Sequence, residues 1–217
     1  MTSKVKEIIK KTWKFIWEND SPLSWALNVL IAFVLVKFIV YPGLGLLLGT
    51  THPVVAVVSG SMSHNLENRQ ICGTNPIDYE NSFNSYWNIC GGWYEKNYIN
   101  KEMASEWRFK NGFNKGDIMI LKGISIDAVG MGDVIVFKSF LPDPIIHRVV
   151  KNSLNNNVYI LQTKGDHNSG PIPEHGENNV TRERLIGKAV FRIPFLGWIK
   201  IIAVDMLNSI KSLLVGG

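Results

Sequence analysis

The stretch Val57-Val58-Ser59-Gly60-Ser61-Met62-Ser63-His64, VVSGSMSH, places two serines and a glycine directly behind apolar, β-branched residues. Residues 51–61 begin apolar and read as a strand. A solvated loop has no need of this pattern, whereas a nucleophile held at the rim of a sheet does. Gly60 permits an unusual backbone or close approach by a substrate. Ser61 then stands at the strand's end. Its hydroxyl is a poor nucleophile until a base takes the proton, so the next question is where a base lies.

Downstream, short strand-like runs recur at 117–121, 133–137, 145–150, 158–163 and 186–191, punctuated by Gly, Pro and Asn. Long helical periodicity is lacking, which predicts a mostly β domain. Gly116-Asp117 and Gly132-Asp133 each open a strand and read as tight turns with the carboxylate capping backbone amides. His147 sits inside the strand IIHRVV, and a neutral imidazole suits proton transfer near working pH. Asp166, in TKGDHN, is joined to His147 by one strand-turn-strand passage and is a candidate to orient the imidazole. Each of the three also has a plain reading, as a turn serine, a core histidine and a turn aspartate. The five histidines match no HExxH or Cys/His zinc pattern, so neither metal nor cofactor is expected.

Upstream, residues 1–20 carry Lys4, Lys6, Lys10, Lys11 and Lys14. Residues 24–49 then hold a single charge, Lys37, which predicts a transmembrane helix. The apolar run is longer than the core of a cleaved signal peptide, so an uncleaved anchor is expected. The basic flank predicts a cytoplasmic N-terminus, with everything after Gly49 outside. The expected organisation is a basic segment and anchor over 1–50, a β domain over 51–190, and an apolar C-terminal helix over 191–217. Lys200, Asp205 and Lys211 suit a membrane-surface helix there better than a span.

Residues 65–113 differ in composition, rich in Asn, Trp and Tyr, and read as a lobe inserted after the first strand. Its aromatics form a small core of their own, meet a membrane surface or offer a partner surface, and 100–110 suggests a short helix. Cys72 and Cys90 lie 18 apart and either pair in an oxidising space or remain thiols. The formal net charge of +5 comes without a zinc finger or recognition-helix motif, so nucleic acid is not expected as a partner.

Five ordered blocks behind the anchor, SGSM (59–62), GDIMIL (116–121), GDVIVFK (132–138), IIHRVV (145–150) and TKGDHN (163–168), resemble type I signal peptidases of the archaeal and endoplasmic-reticulum kind. RIPFLGWI, 192–199, is similar to archaeal members. The resemblance covers most of 54–197 apart from the insert. It implies a signal-peptidase-like β domain on the outer membrane face, with Ser61 as nucleophile, His147 as base where bacterial relatives carry a lysine, and Asp166 as the third member. It places the oxyanion hole at the Ser61 amide and the Ser59 hydroxyl. The implied partners are secretory precursors bearing signal peptides, cut after small residues, and the lipid bilayer, with the protein-translocation channel a further candidate. Two departures stand out. His64 replaces a proline common in the family, and the position of a second family aspartate is Ile172, leaving Glu174 as the nearest downstream alternative carboxylate. The rival readings are a non-catalytic membrane-anchored binding or assembly subunit, and a self-cleaving repressor fold, which uses a lysine base and needs no anchor.

Overall fold

The computed structural model describes residues 2–199, 201–202 and 204–206. The chain divides into two units, Met1–Leu47 and Leu48–Gly217.

In the first unit the lysine-rich α1 (Thr2–Glu18) turns into a long apolar helix at Ser21. Ser21 caps that helix, its hydroxyl accepting from the Ser24 amide at 3.2 Å, and Pro22 follows where a missing N–H costs nothing. The corner is tied by Ser24 Oγ donating to the Phe15 carbonyl (2.8 Å) and Asn28 Nδ2 donating to the Ile16 carbonyl (2.9 Å). The apolar helix continues through α2 (Pro22–Leu35), a π segment (Val36–Val40) and α3 (Tyr41–Leu48). Pro42 has no N–H to return to Phe38, and the widened turns fall immediately before it. At 27 residues and mean hydropathy 2.3, Pro22–Leu48 is long and apolar enough to cross a bilayer, about 40 Å at 1.5 Å per residue. Leu23, Trp25, Phe33 and Phe38 lie exposed along it.

The second unit is built on six antiparallel strands in the order β1-β2-β6-β3-β4-β5. They are β1 (Val54–Ala56), β2 (Ile118–Lys122), β3 (Val134–Phe137), β4 (Ile145–Asn155), β5 (Val158–Lys164) and β6 (Leu185–Ile193). Alternation along the strands fills both faces. Val57, Met62, Phe113, Met119, Leu121, Val134, Val136 and Ala189 form one core. Ile126, Val129, Ile135, Phe137, Val149, Leu161 and Val180 form another. The Gly-Asp turns behave as their composition predicts: Asp117 Oδ2 accepts from the Asn114 amide (2.8 Å) and Asp133 Oδ2 from the Gly130 amide (2.9 Å).

The insert corrects the expectation of a mostly β domain, because the fold is mixed. Residues 83–96 form α4 (Phe83–Lys96), capped by Ser82, and α5 (Lys101–Ser105) follows. The Asn and Gly content of 83–96 masked a helix whose buried side, Tyr86, Trp87, Cys90, Gly91 and Tyr94, repeats at helical spacing. Tyr86, Trp87, Cys90 and Tyr94 pack with Ile71, Ile99, Ala104 and Val150 into a third core. Cys72 and Cys90 are joined by a disulfide. Closing a loop of this length stabilises by about 3 kcal/mol in the chain-entropy account. Reduction should therefore lower the melting temperature of the folded chain measurably in calorimetry, and an unchanged midpoint would contradict this.

The apolar C-terminal helix was expected from residue 191, but β6 runs to Ile193. Residues 198–199, 201–202 and 204–206 are helical, and 207–217 lie outside the described residues. Among the described residues only Pro22–Leu48 has the length and apolarity of a span.

Candidate active site

Strand β1 lies at the edge of the sheet, paired to β2 on one side. The ladder runs on through the Val57 amide, which donates to the Asp117 carbonyl at 2.8 Å. The chain then leaves the sheet in a turn closed by the Ser63 amide donating to the Gly60 carbonyl (2.8 Å). Ser61 stands in this turn. Its Oγ lies 2.9 Å from His147 Nε2 and 3.2 Å from Ser59 Oγ.

His147 is buried near the start of β4, as its third residue. Its Nδ1 meets the Glu177 carboxylate, which is completely buried. The other Glu177 oxygen accepts from the Ile172 amide. The carboxylate assigns the tautomer: Nδ1 carries the proton and donates it, and Nε2 is left with its lone pair toward the Ser61 hydroxyl. Hydroxyl, imidazole and carboxylate in series form an arrangement that can withdraw a proton from serine and stabilise the resulting imidazolium.

Asp166 is placed elsewhere. Arg148 binds it in a fork, Nε to Oδ1 at 2.8 Å and Nη2 to Oδ2 at 2.6 Å. The rest of that guanidinium donates to the carbonyls of Arg108 and Gly132 (both 3.0 Å) and Phe109 (2.9 Å). Strand geometry explains the separation. His147 and Arg148 are neighbours on β4, so their side chains leave opposite faces of the sheet. Asp166 satisfies the Arg148 face and Glu177 the His147 face. Burial alone would raise the Asp166 carboxyl, but the Arg148 guanidinium outweighs it and holds the group well below the usual carboxylate range. Glu174 lies in the 3₁₀ turn Pro173–His175, three residues before the carboxylate that reaches the imidazole.

No family model matches the chain. Over 98 residues it is 32% identical to the signal peptidase complex catalytic subunit SEC11C of Homo sapiens, a match that covers 43% of this chain and 51% of that protein. It is 33% identical over 95 residues to the SEC11 catalytic subunit of Fusarium vanettenii, and 30% over 95 residues to that of Metarhizium robertsii, each covering 42% of this chain and 55% of the relative. The chain is similar to signal peptidase complex catalytic subunits. It spans about half the length of the curated relatives it matches. These relatives are eukaryotic and lend no support to the archaeal side of the resemblance.

The loop after β5 holds this signal-peptidase-like site together from behind. The His167 amide donates to the Ser61 carbonyl (2.9 Å), and the Cys72 amide to the His167 carbonyl (2.8 Å). From the insert, Tyr86 Oη donates to the Asp166 carbonyl at 2.9 Å. Lys164, fully buried, donates to the carbonyls of Gly165 (3.0 Å) and Asp166 (3.3 Å), and burial brings its ammonium down to about 8. At Gly165 there is no room for a side chain. A Cβ there would stand 2.7 Å from the Ser61 carbonyl oxygen and 2.8 Å from His147 Nε2.

Glu177 is the residue that sequence reading missed. It lies in the turn at 176–178 beside β5, its carbonyl accepting from the Thr163 amide at 2.9 Å, with Leu161 and Val180 bridged beyond. A search at fixed spacing from Asp166 stops at Ile172 and Glu174. The Pro171-to-Gly176 turn carries the chain past both before it returns to the sheet. The alternation of His147 and Arg148 was a usable signal: adjacent residues on opposite faces of a strand do not share one carboxylate.

Proposed function

We propose that the chain is a membrane-anchored serine endopeptidase that removes signal peptides from secretory precursors. The observation that carries this reading is the Ser61 Oγ to His147 Nε2 approach of 2.9 Å, with a buried carboxylate on the far imidazole nitrogen. The similarity to signal peptidase catalytic subunits and the apolar helix at Pro22–Leu48 favour the same substrate class.

An extended precursor segment lies along the free edge of β1, held by main-chain hydrogen bonds, with small residues one and three positions before the cut. His147 takes the Ser61 proton as Oγ attacks the scissile carbonyl. The Ser59 hydroxyl and the Ser61 amide stabilise the oxyanion, where each donor contributes about 2.7 to 4 kcal/mol. His147 returns the proton to the leaving amine, and the acyl ester on Ser61 is hydrolysed by water that His147 activates. Glu177 holds the imidazole in the required tautomer. Asp166 and Arg148 support the serine turn without taking part in proton transfer. The anchor confines enzyme and precursor to one surface and raises their effective concentration. The basic flank favours a cytoplasmic N-terminus with the β domain outside.

The test is incubation of the full chain, in detergent or liposomes, with signal-bearing precursors, followed by mass spectrometry of the products. Cleavage at the end of the signal segment, after a small residue, is expected. Failure to cut any of a broad precursor set would favour the binding-subunit alternative. Gly165→Ala should lower kcat by about 100-fold, because the methyl group must displace the imidazole or the Ser61 backbone. Wild-type kinetics from that variant would contradict this placement of Gly165.

A further inference from the structure

His64 has no part in the proton path described above, yet it is buried directly after Ser63, whose amide closes the serine turn. Its ring stacks on Tyr86 from α4, with centroids 3.6 Å apart and planes within 8°. Its Nε2 lies 3.2 Å from Asp166 Oδ2. Its Nδ1 is buried and has no hydrogen-bond partner among the described residues. Asp166 is an ionised acceptor in the grip of Arg148, so the proton of a neutral His64 belongs on Nε2 and Nδ1 keeps an unused lone pair.

We propose that His64 is a positioning residue: its neutral imidazole, donating Nε2–H to Asp166, latches the turn that carries Ser61 onto the 165–168 loop. The proposal rests on Ser61 being the nucleophile. The latch works with three other ties between the same segments: the His167 amide to the Ser61 carbonyl (2.9 Å), the Asp166 amide to Met62 Sδ (3.4 Å), and His167 Nδ1 to the Ser63 carbonyl (3.2 Å). Unlike the two ties made by backbone amides, it titrates.

The ring's surroundings set the direction. Burial lowers the His64 pKa, and the neighbouring Arg148 and Lys164 charges lower it further, while Asp166 opposes them. Tyr94 and Lys110 line the same small cavity, and Tyr79 Oη donates to the His64 carbonyl. An imidazolium here would carry an Nδ1–H with no acceptor, so the charged ring is stable only outside its niche. The folded pKa lies below the unfolded value of about 6.5, so as pH falls through 6.5 the unfolded chain binds the proton first and stability declines.

The experiment compares the full chain in detergent with His64→Gln and His64→Phe. Gln reaches Asp166 with an amide N–H that does not titrate, and Phe keeps the stack on Tyr86 without a donor. His64→Phe should lower kcat by up to about 100-fold with KM little changed, and His64→Gln should recover most of it. Between pH 7.5 and 5 the wild type should lose more melting temperature than His64→Gln. In ¹⁵N spectra at pH 7, His64 should show the Nε2-protonated tautomer. Wild-type kcat in His64→Phe, equal impairment in both variants, parallel melting curves, or an Nδ1-protonated or doubly protonated ring would each overturn the proposal. The spectra and melting curves need no substrate, so they decide the latch even if no precursor is cleaved.

Discussion

Ser61→Ala should abolish precursor cleavage, with kcat falling on the order of 10⁶-fold, the scale seen when a serine protease loses its nucleophile. The change removes one oxygen. That oxygen's contacts are His147 Nε2 at 2.9 Å and Ser59 Oγ at 3.2 Å, and neither belongs to a packed core. The hydrogen bonds that shape the turn run through backbone atoms instead: the Ser63 amide to Gly60, the His167 amide to Ser61, and the Phe113 amide to Met62. The melting temperature should therefore move little while activity disappears. Kinetics on a signal-bearing precursor, paired with calorimetry of the same sample, check both halves. Residual cleavage near the wild-type rate would remove Ser61 from the mechanism. A collapse in melting temperature would show the hydroxyl to be structural.

Where periodicity carries the information, the sequence was informative. The runs at 117–121, 133–137, 145–150 and 158–163 lie within a residue or so of β2 to β5 or inside them, since alternating burial against two cores requires that spacing. Ser61 and His147, which the fold brings within 2.9 Å, were legible as candidates because one stands at a strand end behind a glycine and the other inside a strand. The helix α4 was not, since its pattern is written in Tyr, Trp, Cys and Gly rather than in strong helix formers, and its stability comes from packing and Ser82's cap. The first strand was predicted over 51–61 yet spans only Val54–Ala56, because Gly60 turns the chain to present Ser61. Which carboxylate meets His147 depended on the length of one loop. No local pattern around Asp166 distinguishes a carboxylate that orients histidine from one that neutralises a buried arginine.

That distinction has a large experimental consequence. Glu177→Gln should lower kcat by about 10⁴-fold while leaving the protein folded, by analogy with the loss when a triad carboxylate becomes an amide. The Ile172 amide donates to one Glu177 oxygen, so a glutamine must keep its carbonyl on that side. Its NH₂ then faces His147 Nδ1, forces the imidazole into the Nε2–H tautomer, and aims a proton at Ser61 where a lone pair is needed. Asp166→Asn should do the opposite. It leaves the tautomer alone but strips the counter-charge from Arg148, which is 1% exposed, and an uncompensated buried charge costs about 3 to 5 kcal/mol. The sign in acid follows. Because Asp166's carboxyl is held below its unfolded value of about 3.9, its contribution is fully present above that pH and is lost as pH falls toward the folded pKa. Wild type should therefore lose stability in acid more steeply than Asp166→Asn. Activity and melting curves of the two variants, measured side by side, separate the roles: an inactive but stable Asp166→Asn beside an active Glu177→Gln would return the orienting role to Asp166.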